Sequence, residues 1–167
     1  MDVNTLLGLI STFAIVVGLL FAGVQLRILN KQRSRESALQ LLHSIQTPDF
    51  PEAVNILVDL PEGLSKKEIE ERLGDKIKCV LAMLGTFESL GILIFRREID
   101  INLVEDFFSG IIILTGEKFK NYIKDVRELS NRPTYYEWMQ WMYEQIEKRE
   151  SKTPAVPAYI EYRTWKV

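Results

Sequence analysis

The chain has 167 residues, a formal net charge of −2, one cysteine and one histidine. A single cysteine excludes an internal disulfide bond, and a single histidine leaves little from which to build a metal site or a nucleophile–histidine pair. From Glu36 onward, 17 basic and 22 acidic residues give a net charge of about −5, which does not fit a nucleic-acid binder with a basic face. We therefore expect no cofactor, no metal ion and no nucleic-acid partner.

The first predicted element is an uncharged run of 24 residues, Val3 to Leu26. As a helix it would measure about 36 Å, slightly more than the roughly 30 Å hydrocarbon core of a bilayer. A buried core helix of this length is rarely apolar all round, and a signal peptide carries basic residues before a shorter apolar core. We therefore predict that residues 1–26 are a short amino terminus and a transmembrane helix.

The charges that flank this run predict its orientation. Four basic residues come directly after it: Arg27, Lys31, Arg33 and Arg35. Only Asp2 precedes it, and an excess of Lys and Arg marks the cytoplasmic side of a span. This predicts a single-pass protein with its amino terminus outside. Residues 27–47 then form a basic juxtamembrane helix, which is either a topology signal alone or also a contact for anionic headgroups.

Within the run, Ala14, Gly18 and Ala22 recur every four residues. This spacing places small side chains along one helix face, where two backbones can approach closely. The pattern predicts self-association in the membrane. Gly and Ala are common in membrane spans, so chance spacing is the alternative.

Residues 48–149 show the apolar spacing of helices and predict a cytosolic helical bundle. Asp49–Pro51 is typical of a helix start with proline in the first turn. Ser65–Glu68 forms a capping-box pattern, and we expect the helix that it begins to run to Arg96 or Arg97.

The next helix is predicted to begin after Asp100 and to continue to Leu129. A short buried strand at Ile111–Leu114 is an alternative for part of it. Asn131–Pro133 breaks the pattern, and a last helix is predicted over Thr134–Arg149.

Glu88 is the most unusual polar residue, because it lies inside the apolar stretch Cys79–Phe95. A second membrane segment here is an alternative to a core helix, but it would place an acid near the bilayer centre at a cost of roughly 3 kcal/mol. A buried carboxylate needs hydrogen bonds or a cation. We predict a buried ion pair with Arg96 or Arg97, with the basic residues after the first run as further candidates. A ligand-contacting role is the alternative.

Trp138 and Trp141 give the last helix an aromatic concentration. Core packing explains such a cluster, but aromatic side chains also favour membrane surfaces and protein interfaces. Residues 150–167 contain two prolines and predict an extended tail, whose aromatic side chains either pack back or bind a partner.

The sequence contains no catalytic motif. There is no G-x-S-x-G elbow, no G-x-x-x-x-G-K-[ST] phosphate loop and no G-x-G-x-x-G. Cys79 lies in a helical pattern and reads as an inert thiol, and His43 reads as an ordinary surface or interface residue. We therefore do not expect an enzyme.

The order of these features resembles the family called domain of unknown function 4760. The resemblance lies in the central stretch LGTFESLGILIFRREIDINLVEDFF and in the Asn131–Pro133 break before a tryptophan-bearing helix. It implies a bacterial protein whose amino-terminal span runs into a cytosolic helical domain. The matching central positions are Glu88, Gly91 and Arg96, and the resemblance implies an architectural role for them. The final tail has no counterpart in the family pattern.

The sequence thus predicts an all-α protein of the bacterial inner membrane, with one amino-terminal transmembrane helix extending into a cytosolic bundle. The expected function is an interaction or sensing module that self-associates and recruits a protein partner at the inner face. The alternative is a membrane effector of a defence or toxin system that acts through oligomerised spans. Growth arrest on overexpression, abolished by substitutions in the span, would distinguish the effector.

Overall fold

The computed structural model describes residues 2, 13, 15–29, 32, 36, 43, 47–152 and 156–166. Every regular element among these residues is helical, which confirms the all-α fold class. The helices are α1 (Ile15–Leu29), α2 (Asp49–Asp59), α3 (Lys66–Leu73), α4 (Ile77–Phe95), α5 (Ile101–Ser130), α6 (Glu137–Lys152) and α7 (Ala158–Glu161). A 3-10 turn, Gly74–Lys76, separates α3 from α4.

The chain divides into two units, Met1–Gln40 and Leu41–Val167. The first contains α1, whose described residues are all exposed. Beyond α1, the described positions Gln32 and Glu36 are also helical. In the part of the predicted span that precedes Ile15, Phe13 is the one described residue.

In the second unit, α4 packs against both α2 and α6, and α5 packs against α6, α3 and α2. Three phenylalanines from different helices meet at the centre: Phe50, Phe87 and Phe108. Their rings contact edge to face, with centroids 5.9 to 6.4 Å apart, the geometry that aromatic quadrupoles favour. This cluster joins α2, α4 and α5 into one core.

Local capping signals in the sequence are confirmed. The Ser65 side chain and Glu68 form a reciprocal capping box at the start of α3, and Asp100 accepts the Asn102 backbone N–H at the start of α5. The Lys66 N–H is capped from another helix, because it donates to Asp125 Oδ2 at 2.9 Å. Such bonds satisfy N–H groups that a helix leaves without partners at its start.

Helix α5 runs unbroken through Ile111–Leu114, so the strand alternative is wrong. It ends where Asn131 adopts a left-handed conformation (φ 51°), as Asn tolerates at a helix C-terminus. The predicted break before the last helix is therefore confirmed.

Three predicted boundaries need correction. The helix begun at Ser65 does not continue unbroken, because Gly74 adopts φ +52°, a conformation that glycine enters without steric cost. The last helix begins at Glu137 rather than Thr134, since Tyr136 is also left-handed (φ 53°). The tail is not wholly extended, because Ala158–Glu161 forms a helical turn.

Among the described residues, Lys66–Phe95 is the one stretch long and apolar enough to cross a membrane by length and composition alone. Seven of the α4 residues in it are buried: Val80, Met83, Leu84, Phe87, Leu90, Gly91 and Ile94. Because this face is covered by α2 and α6, the packing favours a core helix over a second membrane segment.

Candidate functional site

The residues of α1 and its flank that the sequence predicts to associate in or at the membrane are exposed where the structure describes them. Gly18, Ala22 and Arg27 are exposed, and a Cβ added at Gly18 would meet no atom within 4 Å. Ala14, Lys31, Arg33 and Arg35, which the sequence assigned to the same stripe or to the basic flank, lie outside the described residues.

Among the described residues, Glu88 forms no ion pair with Arg96, Arg97 or Arg27. Its Oε2 accepts the backbone N–H of Met139 at 2.8 Å, and Met139 lies in the first turn of α6. A carboxylate there satisfies an unpartnered N–H and interacts favourably with the positive end of the helix dipole. Glu88 is thus a cap supplied to α6 by α4, which corrects the prediction of a pair with Arg96 or Arg97; the candidates Lys31, Arg33 and Arg35 lie outside the described residues.

Gly91, one turn after Glu88, allows α6 to approach α4 at the backbone. A Cβ added at Gly91 would lie 2.4 Å from the Trp138 carbonyl oxygen and 2.7 Å from its carbonyl carbon. Only glycine fits this contact without a backbone shift. Glu88 and Gly91 together therefore fix where the peptide between Trp138 and Met139 sits on α4.

That placement builds an aromatic cluster, which we call the platform, from Phe95, Trp138 and Trp141. The Phe95 ring lies 4.8 Å from that of Trp138 and 5.9 Å from that of Trp141, and the two tryptophan rings are 6.1 Å apart. Both tryptophans are half-buried, whereas Phe95 is 59% exposed. The platform therefore reaches the surface through Phe95, while Trp141 also packs against the core.

Arg96 and Arg97 follow Phe95 directly and are exposed. Neither takes part in an ion pair within the part of the chain that the structure describes. Arg97 is left-handed (φ 59°), and the next N–H, that of Glu98, donates to the Leu93 carbonyl at 2.9 Å. This Schellman-type ending turns the chain out of α4, so both guanidinium groups lie at the helix end and away from Glu88's cap.

A second surface feature is a groove of about 750 Å³ between α5 and α6. Its floor includes Gly116 and Tyr143, and a Cβ added at Gly116 would lie 2.4 Å from the Tyr143 ring. The rim carries charges of both signs: Lys120, Lys124, Arg127, Glu128, Glu144 and Glu147. Burial and the Glu147 carboxylate, to which the Tyr143 hydroxyl donates at 2.8 Å, raise the pKa of Tyr143 to about 12. Tyr143 is therefore a neutral hydrogen-bond donor at physiological pH, not a base.

The sequence did not predict this groove or the position of Gly116 in it. The sequence held one hint, because Gly116 interrupts the apolar face of α5 and Tyr143 widens that of α6. Only the tertiary fold shows that these two residues meet. The groove holds no nucleophile beside a base.

Cys79 is a poor nucleophile for a physical reason. Burial raises the pKa of its thiol, and the nearby carboxylates of Glu52 and Asp49 raise it further. Less thiolate is then present at neutral pH than at an ordinary cysteine. Within the described part of the chain, no group of three or more His, Cys, Asp or Glu side chains is placed to hold a metal ion.

Comparison with known families decides what kind of domain this is. The sequence profile described as Domain of unknown function (DUF4760) matches residues 12–146. The chain belongs to the DUF4760 family. The match starts just before α1 and ends within α6, so the tail of this DUF4760 protein lies beyond it. No curated protein and no solved structure matches the chain.

The DUF4760 match covers the residues on which the resemblance rested. Two of them, Glu88 and Gly91, hold α6 on α4 through a cap and a close backbone approach. The third, Arg96, is exposed at the end of α4. In this DUF4760 chain the central motif thus positions the platform.

Replacing Glu88 by alanine is expected to lower the free energy of unfolding of the helical domain by about 1–2 kcal/mol, because the Met139 N–H loses its partner. Glu88→Gln retains an acceptor oxygen, and we expect a smaller loss. Urea unfolding followed by tryptophan fluorescence measures both. Glu71→Ala, at an exposed position on α3, is the control. Equal stability of Glu88→Ala and Glu71→Ala would contradict the cap.

Proposed function

We propose that this protein is a single-pass protein of the bacterial inner membrane that acts as an interaction module rather than an enzyme. Its amino terminus lies outside, and its helical domain lies in the cytosol. There the protein self-associates and recruits a protein partner, and it also contacts membrane lipid. We propose no nucleic-acid partner.

The observation that carries the proposal is the exposure of α1 and of Phe13. Eleven large apolar side chains between Phe13 and Leu29 are 46% to 72% exposed. Burying a large apolar side chain stabilises by about 1.5–3 kcal/mol, so removing this set from water is worth on the order of 15 kcal/mol. A helix with this surface requires lipid or other apolar helices around it.

Three features support the orientation and the interaction role. Arg27 and the basic residues after it follow the apolar segment, which favours a cytosolic position for the rest of the chain. Cys79 is the single cysteine of the chain, so no internal disulfide can form, which fits a reducing cytosol. The platform presents aromatic side chains and arginines, the residue types enriched at interfaces.

If α1 self-associates through its small-residue face, substitutions at its two glycines should affect the dimer fraction differently. Gly18→Leu is expected to lower the dimer fraction crosslinked in isolated membranes, because leucine would separate the two backbones. Gly23→Leu is the matched control, since Gly23 lies about 140° around the helix from Gly18 and an added Cβ there also meets no atom within 4 Å.

Equal loss of the crosslinked dimer in both variants would attribute the effect to bulk and not to the small-residue face. No loss in either would overturn self-association through this face. Protease added to intact spheroplasts tests the orientation: the helical domain should be protected, and its cleavage from outside would contradict the proposal.

A further inference from the structure

The platform is a preformed surface and not a loose group of side chains. Glu88 caps the helix turn that carries Trp138, and Gly91 contacts the Trp138 peptide directly. Trp141 lies one turn further along the same helix. The rings are therefore held in place before any partner arrives, which lowers the ordering cost of binding.

The charges around the platform differ between its two edges. On the α4 edge, Arg96 and Arg97 are exposed and form no ion pair among the described residues, and the exposed acidic residues Glu98 and Asp100 follow them. Glu137, at the start of α6, is exposed on the other edge, and Trp141 borders a shallow depression whose charged lining residues are Arg127, Glu137 and Glu144. Two cations without an ion-pair partner in the described part of the chain therefore lie directly after Phe95, where a negatively charged surface could bind them.

We propose that the platform is a membrane-contact site, in which Phe95, Trp138 and Trp141 enter the interfacial region of an anionic bilayer and Arg96 and Arg97 bind lipid phosphates. Tryptophan favours the headgroup level because its ring is apolar and its indole N–H is polar. Arginine presents a planar set of donors that matches phosphate. Phe95 is the most exposed of the three rings and Arg96 and Arg97 follow it directly, so we expect the α4 end to approach the lipid first.

This inference rests on the proposed function, because a domain that α1 tethers to the membrane needs only a small surface to bind the bilayer. Residues 30–48, between α1 and α2, span at most about 65 Å when fully extended. An anchored domain is therefore held at a high effective concentration near the bilayer, where a contact too weak to recruit a soluble protein becomes populated.

The test uses the full chain with Trp165→Phe, so that Trp138 and Trp141 are the only emitters. It is reconstituted into vesicles of phosphatidylcholine, with or without phosphatidylglycerol, whose lipids are either plain or brominated in the acyl chains. We expect the brominated lipids to quench the tryptophan emission, and to quench it more strongly in the vesicles that contain phosphatidylglycerol.

Arg96→Gln with Arg97→Gln should reduce the quenching in phosphatidylglycerol vesicles to the level seen with phosphatidylcholine alone. The charge-matched control is Arg72→Gln with Lys76→Gln, which removes two exposed cations elsewhere and should leave the quenching unchanged. Circular dichroism of each variant confirms that the helices are retained.

Vesicle flotation in the same samples separates the possible failures. A chain that floats but whose emission is not quenched overturns the membrane contact and leaves the anchor in place; the platform would then face a protein. A chain that does not float overturns both the anchor and the contact. Equal loss of quenching in the two double variants would overturn the specific role of Arg96 and Arg97.

Discussion

Replacing Gly91 by alanine is expected to destabilise the helical domain by about 2–3 kcal/mol, the cost typical of overpacking a tight contact. The new Cβ would lie 2.4 Å from a backbone oxygen of α6 and 2.9 Å from the Trp138 Cβ. A backbone atom cannot rotate away as a flexible side chain can. The helices must therefore separate, and the Met139 N–H would lose its short bond to Glu88.

Gly85 on the same helix provides a control with the opposite sign. A Cβ at Gly85 meets no atom within 4 Å, so Gly85→Ala should stabilise α4 by about 0.5–1 kcal/mol through helix propensity. Urea unfolding in detergent, followed by tryptophan fluorescence, measures both variants. If both substitutions stabilise the domain, the close approach of α6 to Gly91 is wrong.

Because Gly91 and Glu88 serve the same contact, their effects should not add. The double variant Glu88→Ala with Gly91→Ala is expected to lose less stability than the sum of the two single losses, as for residues that share a partner. Simple additivity would show that the cap and the close approach act independently.

Replacing Lys118 by methionine is expected to cost about 2–3 kcal/mol, because it leaves the buried Leu60 carbonyl and the partly buried Val58 carbonyl without this donor. The Lys118 side chain is buried, and its Nζ donates to the Val58 carbonyl at 3.1 Å and to the Leu60 carbonyl. These carbonyls end α2, where a cation also interacts favourably with the helix dipole. Lys118 thus caps the C-terminus of α2 from α5.

Lys120→Met tests whether charge loss alone explains the result. Lys120 lies two residues further along α5 and is exposed, so this substitution should change the free energy of unfolding by no more than about 0.5 kcal/mol. Equal losses at both positions in urea unfolding would refute the capping role of Lys118.

The features that the sequence could predict depend on residues that are close together in the chain. The capping box at Ser65 and the N-cap at Asp100 depend on residues two or three positions apart, and both are confirmed. The family resemblance is confirmed too. Gly74 could not be recognised as a break, because an isolated glycine in a helical pattern is usually tolerated.

What the sequence could not predict depends on pairs of distant residues. Glu88 and Met139 are 51 positions apart, and Lys118 and Leu60 are 58 apart. A carboxylate within an apolar stretch suggests a cation by default, yet the half-buried Glu88 is satisfied here by a helix N-terminus from another part of the chain. Lys118 did leave a signal, since it stands three residues after Thr115 and four before Tyr122 on the buried face of α5.

The membrane anchor is the claim on which the proposed function depends, and flotation of the full chain tests it most directly. Membranes from cells that express the protein are washed with alkaline carbonate and floated through a density gradient, with a detergent-treated sample as the control. We predict that the chain rises with the lipid after the wash and stays at the bottom only when detergent is present. Recovery of the chain at the bottom without detergent would contradict the account.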